Sequence, residues 1–139
     1  MAGFVIIPVL VMGIILGILE LIFVHQDEAG MDWATHGFHT IPTMIVLLFI
    51  SMNVDFFLGL VHWTPSNMWT IIIRCSIGLI ALIKISATAA ISRGRGLHEK
   101  LPHSFIIAAL IVVAPFAWEM FLCNIGFIKS LPMSGCGLK

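Results

Sequence analysis

Four long apolar runs alternate with short polar segments along the chain. The first extends from about Gly3 to Val24 and contains one charge, Glu20. The second covers about Phe38 to Val61, the third about Trp69 to Ile91, and the fourth about His103 to Ile128. A helix needs about 20 apolar residues to cross a bilayer core, and each run is long enough. The pattern predicts an all-α polytopic membrane protein: one domain over residues 1–139, with four transmembrane helices in one bundle at about 3–24, 38–61, 69–91 and 103–128. A polar segment from His25 to Asp32 forms the first loop. Pro65, Ser66 and Asn67 mark a turn as the second. Arg93, Arg95 and Lys100 lie in a basic third loop. Trp33, Trp63 and Trp69 fall at span ends, where amphipathic rings sit at headgroup level. The helices are apolar around most of their circumference, so periodicity does not say which face meets lipid.

Composition agrees. Of 139 residues, 60% are hydrophobic and 10% charged, with a mean hydropathy of +1.10. Soluble domains are roughly 45–50% apolar and about 25% charged. A soluble enzyme, a disordered tail and a disulfide-stapled secreted domain are thereby excluded. The first run is not expected to be a secretory signal, because no Lys or Arg precedes it and it is too long. Seven basic and seven acidic residues give zero net charge, so no nucleic-acid partner is expected. The lipid bilayer and other membrane subunits are the expected partners.

With four spans, the first and third loops share one side, called side A. The third loop carries three basic residues, and the termini with the second loop carry only Lys129 and Lys139. The Lys/Arg bias places side A in the cytoplasm and both termini outside, in the cell membrane. Asp27 and Glu28 in the first loop complement Arg93 and Arg95 in the third. Exposed pairs of this kind contribute about 0–1 kcal/mol each.

Five ionisable residues lie within the runs. At about 1.5 Å rise per residue, Glu20 and Lys84 sit roughly 6 Å and 10 Å inside side A. Asp55, Arg74 and Glu119 sit roughly 9, 8 and 14 Å from side B. The expected pairs are Glu20 with Lys84, and Arg74 with Asp55 or Glu119. They either fix helix partners and register or mark an ion or proton path. No chain of charges joins the two clusters across the midplane.

Asp32, His36 and His39 form the most specific constellation. On a helix they lie at about 0°, 40° and 340°, so all three share a face. A carboxylate and two imidazoles suit Cu, Zn or Fe(II). Equally, Asp32 after Gly30 reads as an N-cap, with the histidines at the interface. An Asp followed four residues later by His, with another His beyond, resembles the helix-borne copper ligands in the C subunit of copper membrane monooxygenases, a family that includes methane and ammonia monooxygenases. The resemblance spans fewer than ten residues. The second His comes sooner here than in that family, and the chain is shorter than that subunit. In size and texture it is similar to the small helical accessory subunits of archaeal ammonia monooxygenases. The resemblance implies Asp32, His36 and His39 as metal ligands, copper as the metal, and a place in a membrane oxidoreductase.

Gly13 and Gly17 form a small-xxx-small pair, which lets backbones approach. Cys75, Cys123 and Cys136 are an odd set without paired spacing, so no disulfide framework is expected and Cys75 and Cys123 read as buried free thiols. G-x-S-x-G and H-E-x-x-H are absent, which argues against independent catalysis. Three functions stand at this point: an accessory subunit of a larger membrane complex, a small oligomeric ion or proton channel or transporter, and a metal-binding membrane protein using the Asp-His-His face.

Overall fold

The structure, a computed structural model, describes residues 4–27, 33–64, 66–92, 101–131 and 134–136; for residues 35, 36 and 87–92 it describes the backbone alone. The described residues form helices joined by turns and short irregular segments, without a strand. Helix α1 spans Ile7–Asp27, α2 Trp33–Met52, α3 Val54–Leu60, α4 Asn67–Ser92 and α5 Leu101–Phe121. A 3-10 turn, Leu122–Asn124, and the short α6, Gly126–Lys129, follow. Among the described residues, three helices are long and apolar enough to cross a membrane, or four when α2 and α3 are taken as one bent span.

Proline and serine placement explains the helix starts. Pro8 and Pro102 each occupy a first turn, where no intrahelical partner for the missing N–H exists. Ser66 precedes α4, and its carbonyl accepts from Trp69 N and Thr70 N. Helix α2 runs unbroken through Pro42.

Glycines set the closest helix contacts. A Cβ at Gly13 would meet Ile45 Cγ1 at 2.7 Å, and one at Gly17 would meet Ile41 Cγ1 at 3.0 Å. The small pair is therefore the seam along which α2 lies against α1. Gly78 serves α4 in the same way against Val112 and the Ala108 carbonyl of α5. Met44, Leu48, Ile107, Ile111 and Ala81 fill the shared core. Replacing Gly13 by Leu should cost about 1–3 kcal/mol through overpacking. Gly59, with nothing within 4 Å, should accept the same change with little effect. Thermal midpoints of the two variants in detergent check this; equal midpoints would refute the seam.

Three expectations need correction. The second run is not one straight helix: α2 and α3 diverge by 60° at Asn53. The Asn53 side chain bonds to main-chain groups, offering the backbone an alternative to the helical ladder. The fourth run does not continue as an α-helix to Ile128. It leaves α-geometry after Phe121, where Asn124 Nδ2 donates to the Met120 carbonyl. The cysteines are not all free. Cys123 and Cys136 form a disulfide, and Cys75 is exposed rather than buried. The turn after α5 and α6 reverse the chain, which brings a distant cysteine back to the helix end.

Candidate functional site

Two polar clusters mark opposite ends of the helices. At end A, the close of α1 meets the start of α5. His103 Nδ1 lies 2.7 Å from Asp27 Oδ2. Imidazole and carboxyl share one hydrogen bond, whose donor depends on the ring tautomer. The Asp27 side chain is fully buried and that of His103 is 19% exposed. Phe23, one turn before Asp27, stacks on the imidazole at 4.4 Å between ring centres. His25 packs against Trp33. This pairing was missed in the sequence, which set Asp27 against arginines of the third loop. Glu28, Arg93 and Arg95 lie outside the described residues. Deeper along α1, Glu20 is buried, while Lys84 on α4 is exposed.

Asp32 and the side chain of His36 also lie outside the described residues. His39 is exposed on α2, and its carbonyl accepts from Thr43 Oγ1 at 2.8 Å. Among the described residues, no three His, Cys, Asp or Glu side chains converge as a metal cage.

End B holds the richer site, and it is built on the break at Asn53. Its side chain is almost wholly buried. Val5 N donates to Asn53 Oδ1 at 2.9 Å, and Asn53 Nδ2 donates to the Val5 carbonyl at 3.0 Å. The amide thus pairs with both polar groups of one backbone residue, as a neighbouring strand would. Nδ2 also donates to the Phe49 carbonyl at 3.0 Å. Its hydrogen bonds thus serve main chain, and they pair both polar groups of Val5 in the segment before α1.

Ser51, two residues earlier, joins three helices. Pro115 lacks an N–H and frees the carbonyl of Ile111, four residues before it in α5. Ser51 Oγ donates to that carbonyl at 3.0 Å. The Ser51 carbonyl in turn accepts from Arg74 Nε of α4 at 3.4 Å. Arg74 Nη2 lies 3.3 Å from Asp55 Oδ2, and the guanidinium stands over the Phe116 ring at 5.2 Å. One arginine therefore satisfies a broken helix, a carboxylate and an aromatic face. Its side chain is 11% exposed, and that of Asp55 is 54% exposed.

Around this node lies a cavity of about 80 Å³. Arg74, Asp55, Glu119, Asn53, Trp118 and Gly135 are among its walls. Glu119 makes no hydrogen bond or ion pair among the described residues and is exposed. Arg74 thus pairs with Asp55, while Glu119 stands on the same wall. The chain after α6 returns here. Trp118 Nε1 donates to the Ser134 carbonyl at 2.8 Å, and Gly135 packs against Val5 and Pro8.

Asn53, Ser51 and Trp118 were not singled out in the sequence as site residues. Asn53 carried one usable signal, a carboxamide two residues from Asp55 inside an apolar run. Compared with known proteins, the chain matches no described family, no curated protein and no solved structure.

Proposed function

We infer that the protein is a small accessory or structural subunit of a larger membrane complex, anchored in the cell membrane by α1, the bent α2–α3 pair, α4 and α5. The observation that carries this reading is the surface. Large apolar side chains stand exposed on every long helix, among them Ile14, Ile18, Val46, Ile80, Ile83 and Phe105. Such a surface suits lipid and neighbouring apolar helices. Two independent features support one orientation. In sequence the basic third loop immediately precedes α5, whose start is at end A, and this favours the cytoplasm for that end. The Cys123–Cys136 disulfide belongs to end B, and disulfides persist in oxidising compartments outside the cytoplasm.

The test is the composition of the native particle. Extraction from native membranes in mild detergent, followed by native mass spectrometry, should give this chain at fixed stoichiometry with different membrane polypeptides. A monomer or a pure homo-oligomer overturns the reading.

The resemblance of Asp32, His36 and His39 to monooxygenase copper ligands adds copper and a membrane oxidoreductase to this proposal. Replacing His36 by Ala should abolish stoichiometric copper in the purified assembly, read by elemental analysis. Copper that is absent from the intact assembly, or unchanged by the replacement, removes the metal from the proposal and leaves the subunit role standing.

The helix break supports one alternative. Discontinuous helices with polar groups at the break line substrate and ion sites in transporters. The alternative is a small oligomeric ion or proton conductor using Arg74, Asp55 and Glu119. A pure homo-oligomer that conducts ions in vesicles would favour it.

A further inference from the structure

We propose that the Cys123–Cys136 disulfide is a redox-sensitive latch, holding residues 134–136 as a strap across the pocket at the Asn53 break. The strap has two described anchors besides the disulfide. The Ser134 carbonyl accepts the Trp118 indole N–H at 2.8 Å. Gly135, at φ +73°, presses on the segment before α1 so closely that a Cβ would lie 2.7 Å from Val5 Cγ1. One hydrogen bond and one glycine contact are little to order a returning segment against its conformational entropy. The disulfide changes that balance. It ties the strap to the end of α5 across 13 residues and sharply restricts where it can go.

The position of the strap gives the latch its consequence. Gly135 is part of the pocket wall that also carries Arg74, Asp55, Glu119 and Asn53. Ser134 in the strap and Trp118 beside it are both buried. Cys123 and Cys136 are each only half-buried, so a small dithiol reaches them from the edge. Reduction is a two-electron exchange. The dithiol gives two electrons and two protons and closes to its own disulfide, while Cys123 and Cys136 each become a thiol. The released strap leaves the pocket, Trp118 loses its cover, and the Arg74–Asp55 wall opens to water. The helices keep their packing, because the Gly13–Ile45 and Gly78–Val112 seams and the Ser51 node do not involve the strap.

The experiment uses the full chain with Trp33, Trp63 and Trp69 replaced by Phe, leaving Trp118 as the reporter. Acrylamide quenching and far-UV circular dichroism are measured in detergent before and after dithiothreitol, and in the C123S/C136S variant. The latch predicts a several-fold rise in the quenching constant with helicity unchanged, reversed on reoxidation. Quenching that stays the same overturns it. Loss of helicity on reduction also overturns it, because the disulfide is then a staple of the whole fold. Gly135→Ala keeps both cysteines and supplies a second arm. Its Cβ meets Val5 at a backbone angle that side chains avoid, so the oxidised variant should quench more than the parent. An unchanged constant there counts against the strap.

Discussion

Replacing Asp55 by Ala is expected to destabilise the protein more than replacing Asp55 and Arg74 together by Ala and Met. The single change leaves a guanidinium that is 11% exposed without its carboxylate. An uncompensated charge in such a place costs about 3–5 kcal/mol when the pair is fully buried. Asp55 is 54% exposed, so water recovers part of that, and about 2–3 kcal/mol is the expected loss. Met in place of Arg74 removes the stranded charge and keeps apolar contact with Phe116. It also leaves the Ser51 carbonyl without its donor, which limits the recovery. A double-mutant cycle read by unfolding in mixed micelles checks the order. Additive losses would show that Arg74 and Asp55 do not act as a pair.

Asn53 carries the second large effect. Asn53→Leu keeps nearly the same volume and removes three hydrogen bonds at once. The Val5 N–H and carbonyl lose their amide partner, and the Phe49 carbonyl keeps only the Asn53 N–H. Buried backbone groups left unsatisfied cost about 1–3 kcal/mol each, so a loss of roughly 2–5 kcal/mol is expected. Asn53→Asp separates the parts of this effect. It keeps an acceptor for Val5 N and loses both donations, while placing a carboxylate beside two carbonyls. It should be no better than Leu. Amide hydrogen exchange at Val5 offers a local readout. In the Leu variant it should accelerate together with the global loss, and protection that persists would mean that Val5 is held by something else.

The apolar runs were readable because hydrophobic length alone defines them. Glu20, Asp55, Arg74 and Glu119 were visible as charges in unfavourable places, and depth arithmetic put Arg74 level with Asp55. What could not be read was anything decided by an angle. The break at Asn53 has no proline or glycine beside it, and it arises because a carboxamide finds Val5, 48 residues away. The Asp27–His103 bond depends on how α5 lies against α1, and the sequence showed Asp27 only as loop and His103 only as the start of a span. The disulfide depends on α6 turning the chain, and a sequence separation of 13 follows no spacing rule. Pro115 frees a carbonyl within α5, yet that carbonyl's partner, Ser51, lies on another helix. Apolar side chains tolerate many packings, so long-range polar contacts of this kind decide among them without leaving a local pattern.

Val5 is clasped by Asn53, and Gly135 leans on it from the other side. These three contacts set an order of events during synthesis. At about 5–20 residues per second, Gly135 leaves the ribosome roughly 7–26 s after Val5. Through that interval the first helices are made and paired, while one wall of the pocket does not yet exist. The segment ahead of α1 waits without its Gly135 contact, open to whichever oxidoreductase or assembly partner is present. Closure of the site is therefore a late event in the life of each molecule, coming after the helices are in place and timed by the arrival of Cys136.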